Sequence, residues 1–234
     1  MKDEVGHQTL EVIAEADRFN QWMFETIRPY CSGHVLEVGS GIGNISRFFI
    51  RNNYSITLSD SDPSYVDHLR KKFSEQDVIE LDLVHENFYN KYQHFFQTFD
   101  TVFLLNVLEH IDNDKQAIEN CGRFLKPGGS LVILVPAYAF LFSQIDKDLH
   151  HYRRYTSKNI SNLIAEKKFV IRKVFYFNAI GILAWTYGKV FGLHTIQAKK
   201  MRTFNRLVPL AKFIDKILFR RAGLSMIIVA QKDL

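Results

Sequence analysis

Residues 35–44 read VLEVGSGIGN, an apolar run that ends in three alternating glycines. The apolar part predicts a strand over residues 34–38, and residues 44–51 predict the helix that follows it. Gly39, Gly41 and Gly43 let the backbone turn sharply and approach a ligand closely. A glycine-rich turn between a first strand and a helix is the nucleotide site of doubly wound α/β sheets. An ordinary tight strand-to-helix turn is the alternative.

Two carboxylates flank this turn. Glu37 lies in an otherwise apolar strand, where a carboxylate is unfavourable unless it is paired. A cationic ligand, such as the ammonium of a methionine moiety, is a suitable partner. Asp60 ends the next apolar strand and can accept two hydrogen bonds from a ribose diol. A helix N-cap or turn residue is the alternative for Asp60, although Asp62, before Pro63, is the better N-cap candidate.

Short apolar runs alternate with helical patterns along the rest of the chain. Further strands are predicted over residues 54–59, 78–81, 101–105, 131–135, 169–177 and 225–232, with helices over 9–28, 63–73 and 114–125. The KPGG segment at 126–129 predicts a turn that ends the last of these helices. Alternating strands and helices indicate a mostly parallel sheet with helices on both faces. The last strand follows a long connection and is expected as an antiparallel edge.

Several other motifs occur in the order that a known family shows. They are LSD at 58–60, LDL at 81–83, FD at 99–100, NVLEHI at 106–111 and LKPGG at 125–129. Together with residues 35–44 they resemble the motifs of class I S-adenosylmethionine-dependent methyltransferases, over residues 34–137. The resemblance implies a doubly wound, mostly parallel, seven-stranded sheet of Rossmann-like methyltransferase type, with an antiparallel last strand and a helical insertion. It also implies S-adenosyl-L-methionine as cofactor and S-adenosyl-L-homocysteine as product.

The same resemblance implies roles for the cofactor-binding residues. Glu37, Gly39, Ser40 and Gly41 would face the methionine part, Asp60 with Ser61 the ribose, Asp82 and Leu83 the adenine, and Asn106 and Val107 the region near the sulfonium. Local turn capping is the alternative for Asp82 and Asn106. A dehydrogenase is the main competitor in this fold, but its GxGxxG fingerprint places the third glycine one residue later than Gly43.

Candidate acceptor-side residues follow the fourth and fifth strands. We predict His110 and His151 as catalytic residues, because histidine can take a proton near pH 7. Tyr138, Arg153 and Arg154 are predicted to bind the acceptor, the arginines through a phosphate or carboxylate group.

Each of these assignments has a structural alternative. His110 can cap the connection after the fourth strand, and His150 and His151 can be surface or structural residues. The two arginines can pair with Asp146 and Asp148. No metal site is predicted, because Asp146, His150 and His151 match no standard ligand spacing.

The segment HYRRYT at 151–156, with Phe177, Asn178 and Gly181, resembles a bacterial methyltransferase subgroup sometimes joined to glycosyltransferases that act on polyprenyl-phosphate sugars. The predicted function is methyl transfer to a small-molecule or lipid-linked sugar acceptor. The alternatives are a catalytically silent cofactor-binding or scaffolding protein and an RNA or protein methyltransferase. The sequence carries no Asn/Asp-Pro-Pro-Tyr/Phe motif after the fourth strand, which weakens base N-methylation.

The insertion at 178–224 concentrates the positive charge. Between Lys189 and Leu224 there are nine lysines and arginines and one acid, Asp215, so the remainder of the chain is net acidic despite a total of +5. Nucleic-acid binding is therefore not expected. The apolar residues among these charges fit a lid, a homodimer contact, or a peripheral membrane contact through residues 179–221.

Length and composition indicate one domain of 234 residues. We expect a helical lead-in at 1–33, a cofactor-binding core at 34–137, an acceptor-side region at 138–177, the insertion at 178–224 and a final strand at 225–234. The acidic start lacks a long apolar run, and Cys31 and Cys121 form no paired motif. These features predict a cytoplasmic protein, peripheral to the inner membrane face if the insertion binds lipid.

Overall fold

One seven-stranded sheet runs through the computed structural model of the protein, which describes residues 4–195 and 197–233. The predicted ranges 1–33, 178–224 and 225–234 include residues 1–3, 196 and 234, which lie outside that part. The strands are β1 (His34–Val38), β2 (Ser55–Asp60), β3 (Asp77–Glu80), β4 (Phe99–Leu105), β5 (Leu125–Pro136), β6 (Phe169–Phe177) and β7 (Ser225–Lys232).

The strand order is β3-β2-β1-β4-β5-β7-β6. The pairs from β3 to β5 are parallel, and β7 is antiparallel to both β5 and β6. The predicted mostly parallel, seven-stranded fold with an antiparallel last strand is confirmed. The expectation that β7 forms the edge is wrong. Residues 226–230 of β7 are buried throughout, whereas β6 exposes Val170 and Lys173, so β6 takes the edge.

Helices cover both faces of the sheet. They are α1 (Glu4–Ala14), α2 (Asp17–Ile27), α3 (Ser46–Arg51), α4 (Pro63–Lys72), α5 (Phe88–Tyr92), α6 (Asp114–Phe124), α7 (Gln144–Asp148), α8 (Ser157–Ala165), α9 (Ala179–Val190) and α10 (Ala198–Ile217). The strands alternate between two cores: Leu36, Val102 and Leu131 pack on one face, and Val35 and Phe103 on the other. Burial on both faces explains the apolar runs from which the strands were predicted.

Two predicted elements differ from the structure. The lead-in predicted as one helix over residues 9–28 is two helices, α1 and α2, with a break at Ala16. The KPGG segment is a bulge inside β5. Phe99 pairs with Leu125 and Thr101 with Ser130. The four residues 126–129 of β5 therefore lie opposite the single residue Asp100 of β4. Asp100 Oδ1 also forms an ion pair with Lys126 Nζ at 2.8 Å, which anchors the bulge of β5 to β4.

Helix caps explain two of the boundaries. Asp62 accepts a hydrogen bond from the Ser64 amide at 2.8 Å and precedes Pro63 at the start of α4, which confirms it as the N-cap. Thr156 begins α8 through a capping box with Asn159. Both caps are local sequence patterns, but only the start of α4 was predicted from the sequence; α8 was not predicted.

The strand order also places the crevice. Strand β1 pairs with β2 on one side and with β4 on the other, so the connections from β1 and β4 leave in opposite directions. In open α/β sheets the ligand crevice lies at the carboxyl ends of such strands. The glycine turn of residues 39–43 follows β1 at this point.

Substitution of Gly39 tests how tightly this turn is built. Gly39 has φ +71°, and a Cβ atom there would overlap Val107 Cγ2. We expect Gly39→Ala to lower the free energy of unfolding by about 2–4 kcal/mol, from left-handed backbone strain and overpacking. Gly192→Ala is the control, because Gly192 also has positive φ but meets no atom within 4 Å. Equal losses in urea unfolding would show that the Val107 contact is unimportant.

Candidate active site

The glycine turn presents its backbone at the tip of β1. Gly39, Gly41 and Gly43 all have positive φ, at 71°, 54° and 78°. The Ser40 amide donates to the Ser59 carbonyl at 2.8 Å, which joins the turn to the end of β2. Side chains on these three positions would collide with Val107, Leu10 or Phe73, so the turn can follow this path only with glycine.

Glu37 is the buried acid of this site. It is 4% exposed, and its Oε2 accepts a hydrogen bond from Ser46 Oγ at 2.5 Å. Burial raises the pKa of its carboxyl to about 8, although hydroxyl donors from Ser46 and Ser40 oppose the shift. A nearby cation would favour the ionised form, so Glu37 fits the ammonium of a methionine moiety.

Asp60 ties the end of β2 to the glycine turn. It is 9% exposed, and its carboxylate accepts the amides of Gly41 at 2.8 Å and Asp62 at 3.0 Å. Burial raises the pKa of this carboxyl, against the effect of these amide donors. Each carboxylate oxygen keeps a further lone pair, so two ribose hydroxyls can still bind. Ser61 lies beside Asp60 and is exposed.

The predicted adenine contacts follow β3. Asp82 is half-buried and its Oδ1 accepts the Val84 amide at 2.9 Å, which is the turn-capping alternative. Leu83 is buried, and its carbonyl accepts Asn120 Nδ2 at 2.8 Å. The Leu81 amide donates to the Asp60 carbonyl at 2.8 Å, so the adenine and ribose residues belong to adjoining strand ends.

The predicted residues near the sulfonium follow β4. Asn106 has φ +54°, is exposed, and donates its amide to the Leu134 carbonyl at 2.9 Å. Val107 packs directly over Gly39, as the Cβ overlap described above shows. The structure thus brings the predicted cofactor-binding residues together at the carboxyl ends of β1 to β4.

Helix α1 also reaches this site, a contact that the sequence analysis missed. Asn44 Nδ2 donates to the Leu10 carbonyl at 3.0 Å, and a Cβ on Gly41 would lie 3.0 Å from Leu10 Cδ1. The lead-in therefore lies over the glycine turn. The amphipathic pattern predicted a helix, but no local signal specified where it docks.

A second group lies on the acceptor side, after β4 and β5. The His110 and His151 rings are 4.6 Å apart between centroids, and Asp146 Oδ1 is 3.0 Å from His151 Nδ1. Burial would raise the pKa of Asp146, but His151 and Arg154 hold it below its usual range. His110 is in contact with solvent, yet desolvation by neighbouring atoms, followed by the nearby His151 and His150, lowers the pKa of its imidazolium to about 4. His110 is therefore neutral near pH 7, able to accept a hydrogen bond but a weak base.

Glu109 is the functional candidate that sequence reasoning missed. It is 1% exposed, and among the described residues neither of its carboxylate oxygens has a hydrogen-bond partner. Burial raises the pKa of this carboxyl to about 8. A charged residue among the apolar residues of the NVLEHI segment after β4 was the available signal. Glu109, His110 and His151 each offer a ligand atom within 4.8 Å of the others, so this trio could hold a metal ion, rather than Asp146, His150 and His151.

The three predicted acceptor-binding residues occupy different settings. Tyr138 has φ +62° and stacks on Tyr176 at 5.4 Å between centroids. Arg153 pairs with Asp112 and Asp114, so the alternative partners Asp146 and Asp148 are wrong for this arginine.

Arg154 is enclosed instead. It is 4% exposed, and its Nε lies 2.8 Å from Asp146 Oδ1, in agreement with the ion-pair alternative. An enclosed guanidinium can position His151 through their shared Asp146 partner. Its predicted contact with an acceptor remains a prediction.

Two surface cavities lie elsewhere. One of about 600 Å³ is lined by residues of α2 and α10, and one of about 580 Å³ by residues around β6 and α6. Neither includes a predicted site residue, and neither gathers a comparable set of acids, histidines and backbone donors. The residue chemistry at the strand ends therefore locates the site better than cavity size does.

Residues 36–131 match the family described as a methyltransferase domain. This match covers less than half of the chain and shows that residues 36–131 are similar to methyltransferase domains. With the observed strand order, this match supports the predicted class I S-adenosylmethionine-dependent methyltransferase and its cofactor. The matched range covers β1 to the start of β5 and so includes the glycine turn, Asp60, Asp82 and Asn106.

Known proteins show the same likeness. A mitochondrial ubiquinone biosynthesis O-methyltransferase of Dictyostelium discoideum is 32% identical over 119 residues, 46% of this chain and 36% of that protein. The chain therefore spans about a third of that relative's length. A Haloferax volcanii protein solved with a methyltransferase activator has a TM-score of 0.68 at 14% identity, with all of both chains covered.

A third likeness concerns a structure with ligands. Geranyl diphosphate C-methyltransferase of Streptomyces coelicolor, solved with Mg²⁺, geranyl diphosphate and S-adenosyl-L-homocysteine, has a TM-score of 0.66 at 13% identity. The alignment covers 96% of this chain and 83% of that one. At such identities the two structural likenesses establish the fold alone.

The buried Glu37 predicts a pH-dependent affinity. Below pH 8 the carboxyl of the free protein holds a proton that an incoming ammonium must displace. We expect affinity for S-adenosyl-L-homocysteine to rise with pH up to about 8, by roughly tenfold per pH unit, and then to level off. Calorimetry of Glu37→Gln should show weaker binding without this slope. Glu86→Gln, at an exposed residue, is the control and should keep the pH dependence of the affinity. If the pH dependence persists in Glu37→Gln, Glu37 does not bind the ammonium.

Proposed function

We propose that the chain transfers a methyl group from S-adenosyl-L-methionine to a small-molecule or lipid-linked sugar acceptor. The observation that carries the proposal is the convergence of Glu37, the positive-φ glycine turn and Asp60 at one edge of the sheet. An acid for an ammonium, a glycine-rich turn at the strand tip and an acid for a diol match the parts of this cofactor. The family match over residues 36–131 supports the same conclusion.

The cofactor supplies the reactive methyl group, so the protein acts mainly by alignment and exclusion of water. Glu37 would hold the ammonium and Asp60 the ribose hydroxyls. Val107, which packs over Gly39, would set the wall near the sulfonium. Asp82 and Leu83 would hold the adenine. The family resemblance implies these roles, and the positions of the residues at adjoining strand ends support them.

The residues on the acceptor side, His151 with Asp146 and His110, would remove a proton from the acceptor. Asp146 binds one ring nitrogen of His151, which leaves the other nitrogen for an acceptor hydroxyl or amine. His110, 4.6 Å from His151 between ring centroids, would accept a hydrogen bond from the same group. Arg153, 31% exposed, is the cation better placed to meet an acceptor phosphate, because Arg154 is enclosed.

The remaining alternatives make different predictions about turnover. A silent cofactor-binding protein would bind S-adenosyl-L-methionine and never convert it. An RNA or protein methyltransferase would convert it only with those macromolecules. The association with glycosyltransferases acting on polyprenyl-phosphate sugars, a homodimer and a position at the inner membrane face remain predictions from the sequence.

Substitution of Asp60 tests cofactor binding. Asp60→Asn keeps the shape of the side chain but removes its charge, and we expect the affinity for S-adenosyl-L-methionine to fall by about 1–3 kcal/mol, or one to two decades. Asp62→Asn is the matched control, because an asparagine still caps α4. Calorimetry that gives both variants the wild-type affinity would contradict the ribose assignment.

Substitution of His151 tests the acceptor side. We expect His151→Gln to reduce formation of S-adenosyl-L-homocysteine from cofactor and cell extract by about 10²–10⁴-fold, the usual size of acid–base catalysis. Cofactor affinity should stay unchanged. The control is His68→Gln, at an exposed histidine of α4. Full turnover by His151→Gln would leave His151 as a structural residue.

A further inference from the structure

The outer faces of α9 and α10 form an apolar surface that the fold leaves uncovered. Six large apolar side chains on or beside these helices are more than half exposed: Leu183 (73%), Val190 (72%), Phe191 (64%), Phe213 (59%), Ile217 (56%) and Phe219 (80%). We call this the α9–α10 surface. Helices α9 and α10 contact each other, and so many exposed apolar side chains on a pair of contacting helices usually mark an interaction site.

Helix α10 carries two apolar stripes. Val208 and Ala211 face the protein and are buried. Leu210, Phe213 and Ile217 recur at spacings of three and four residues, which places them on a different face of the helix, and each is at least half exposed. The inward stripe accounts for packing on the fold. The outward stripe needs another partner.

The charges around this surface favour an anionic partner. Its one acid, Asp215, is buried and accepts the amides of Asn178 at 2.7 Å and Ala179 at 2.8 Å. Lys212 pairs with Glu25 and Arg202 with Glu15. Within the described ranges, no ion pair is formed by Lys199, Arg206, Lys216 or Arg221.

A second copy of the chain is a poorer occupant. A two-fold contact through the same surface would bring these cations against themselves, and like charges oppose association. An anionic bilayer offers both features that the surface requires: hydrocarbon for the apolar side chains and phosphate for the cations. Within the described residues, no helix is both long and apolar enough to cross a membrane.

The surface adjoins the acceptor side of the site. Trp185 of α9 donates Nε1 to the Leu141 carbonyl at 3.2 Å, and the Arg154 guanidinium lies 4.4 Å from the centre of the Trp185 ring. Arg154 in turn binds Asp146, the partner of His151. Phe140 is 70% exposed at the same rim, where its carbonyl accepts Lys189 Nζ.

We propose that the α9–α10 surface docks on an anionic lipid bilayer, and that the acceptor is lipid-linked, with its apolar part in that bilayer. The claim about the acceptor rests on the proposed methyltransferase function. The docked helices would hold the acceptor-side group against the membrane, so that a headgroup reaches His110 and His151 while the lipid tail stays in hydrocarbon. In the docked state, α9 would also cover the acceptor-side region.

Flotation of the full chain with vesicles tests the docking. We expect it to float with vesicles of phosphatidylglycerol and phosphatidylcholine, to stay behind with phosphatidylcholine alone, and to be released by high salt. Phe213→Glu should weaken flotation by about tenfold or more. Tyr89→Glu, at a tyrosine 58% exposed near β4, is the matched control and should float normally.

Several outcomes would overturn the proposal. They are absence of flotation with anionic vesicles at low salt, flotation of Phe213→Glu equal to wild type, and a dimer that Phe213→Glu dissociates while flotation stays unchanged. Lipid-extract turnover should fall in Phe213→Glu, and turnover confined to a water-soluble fraction would overturn the lipid-linked acceptor. Cofactor calorimetry on the same variants separates the two proposals, because binding without flotation removes docking alone, and flotation without cofactor binding removes the methyltransferase function.

Discussion

The hydrogen bond from the Gly41 amide to Asp60 fixes the geometry on which the site depends. It joins the turn after β1 to the end of β2, at 2.8 Å, and the Ser40 amide adds a second bond to the same strand. The turn can follow this path only because three glycines accept positive φ. Asp60 thus has two tasks, to fix the path of the glycine turn and to offer its remaining lone pairs to a ligand. A residue with both tasks connects the stability of the turn with recognition.

The three buried acids Glu37, Glu109 and Asp146 differ in their pKa values because their charge partners differ. Glu37 and Glu109 are almost fully enclosed, and burial raises the pKa of each to about 8. Asp146 is equally enclosed, yet His151 and Arg154 hold its pKa low. The first two acids therefore lack a full complement of charge partners, whereas the third has one within the protein. Unpaired buried acids of this kind are frequent where a cation or a proton has to be received.

Much of the fold could be predicted because its signals are local. The glycine turn, the apolar parallel strands and the Asp62 cap depend on neighbouring residues, and the sheet follows from their alternation. The apolar run 226–230 indicates a buried β7, and Arg172 and Lys173 indicate a more exposed β6. The strand order that places β7 between β5 and β6 was harder to predict, because no local pattern encodes it. The ion pair of Arg154 with Asp146, the exposure of α9 and the docking of Leu10 are tertiary contacts. Such contacts are set by packing between distant segments, which a single sequence does not encode in its spacing.

The placement of α1 bears on how a nucleoside could enter and leave. None of the residues of α1 is buried, and it touches the glycine turn chiefly through Leu10 and its carbonyl. Lifting this helix would expose little apolar area, so the cost would be small beside the stability of the sheet. A nucleoside could then enter and leave while the core stays folded. The displacement of this peripheral helix would govern the rate of that exchange.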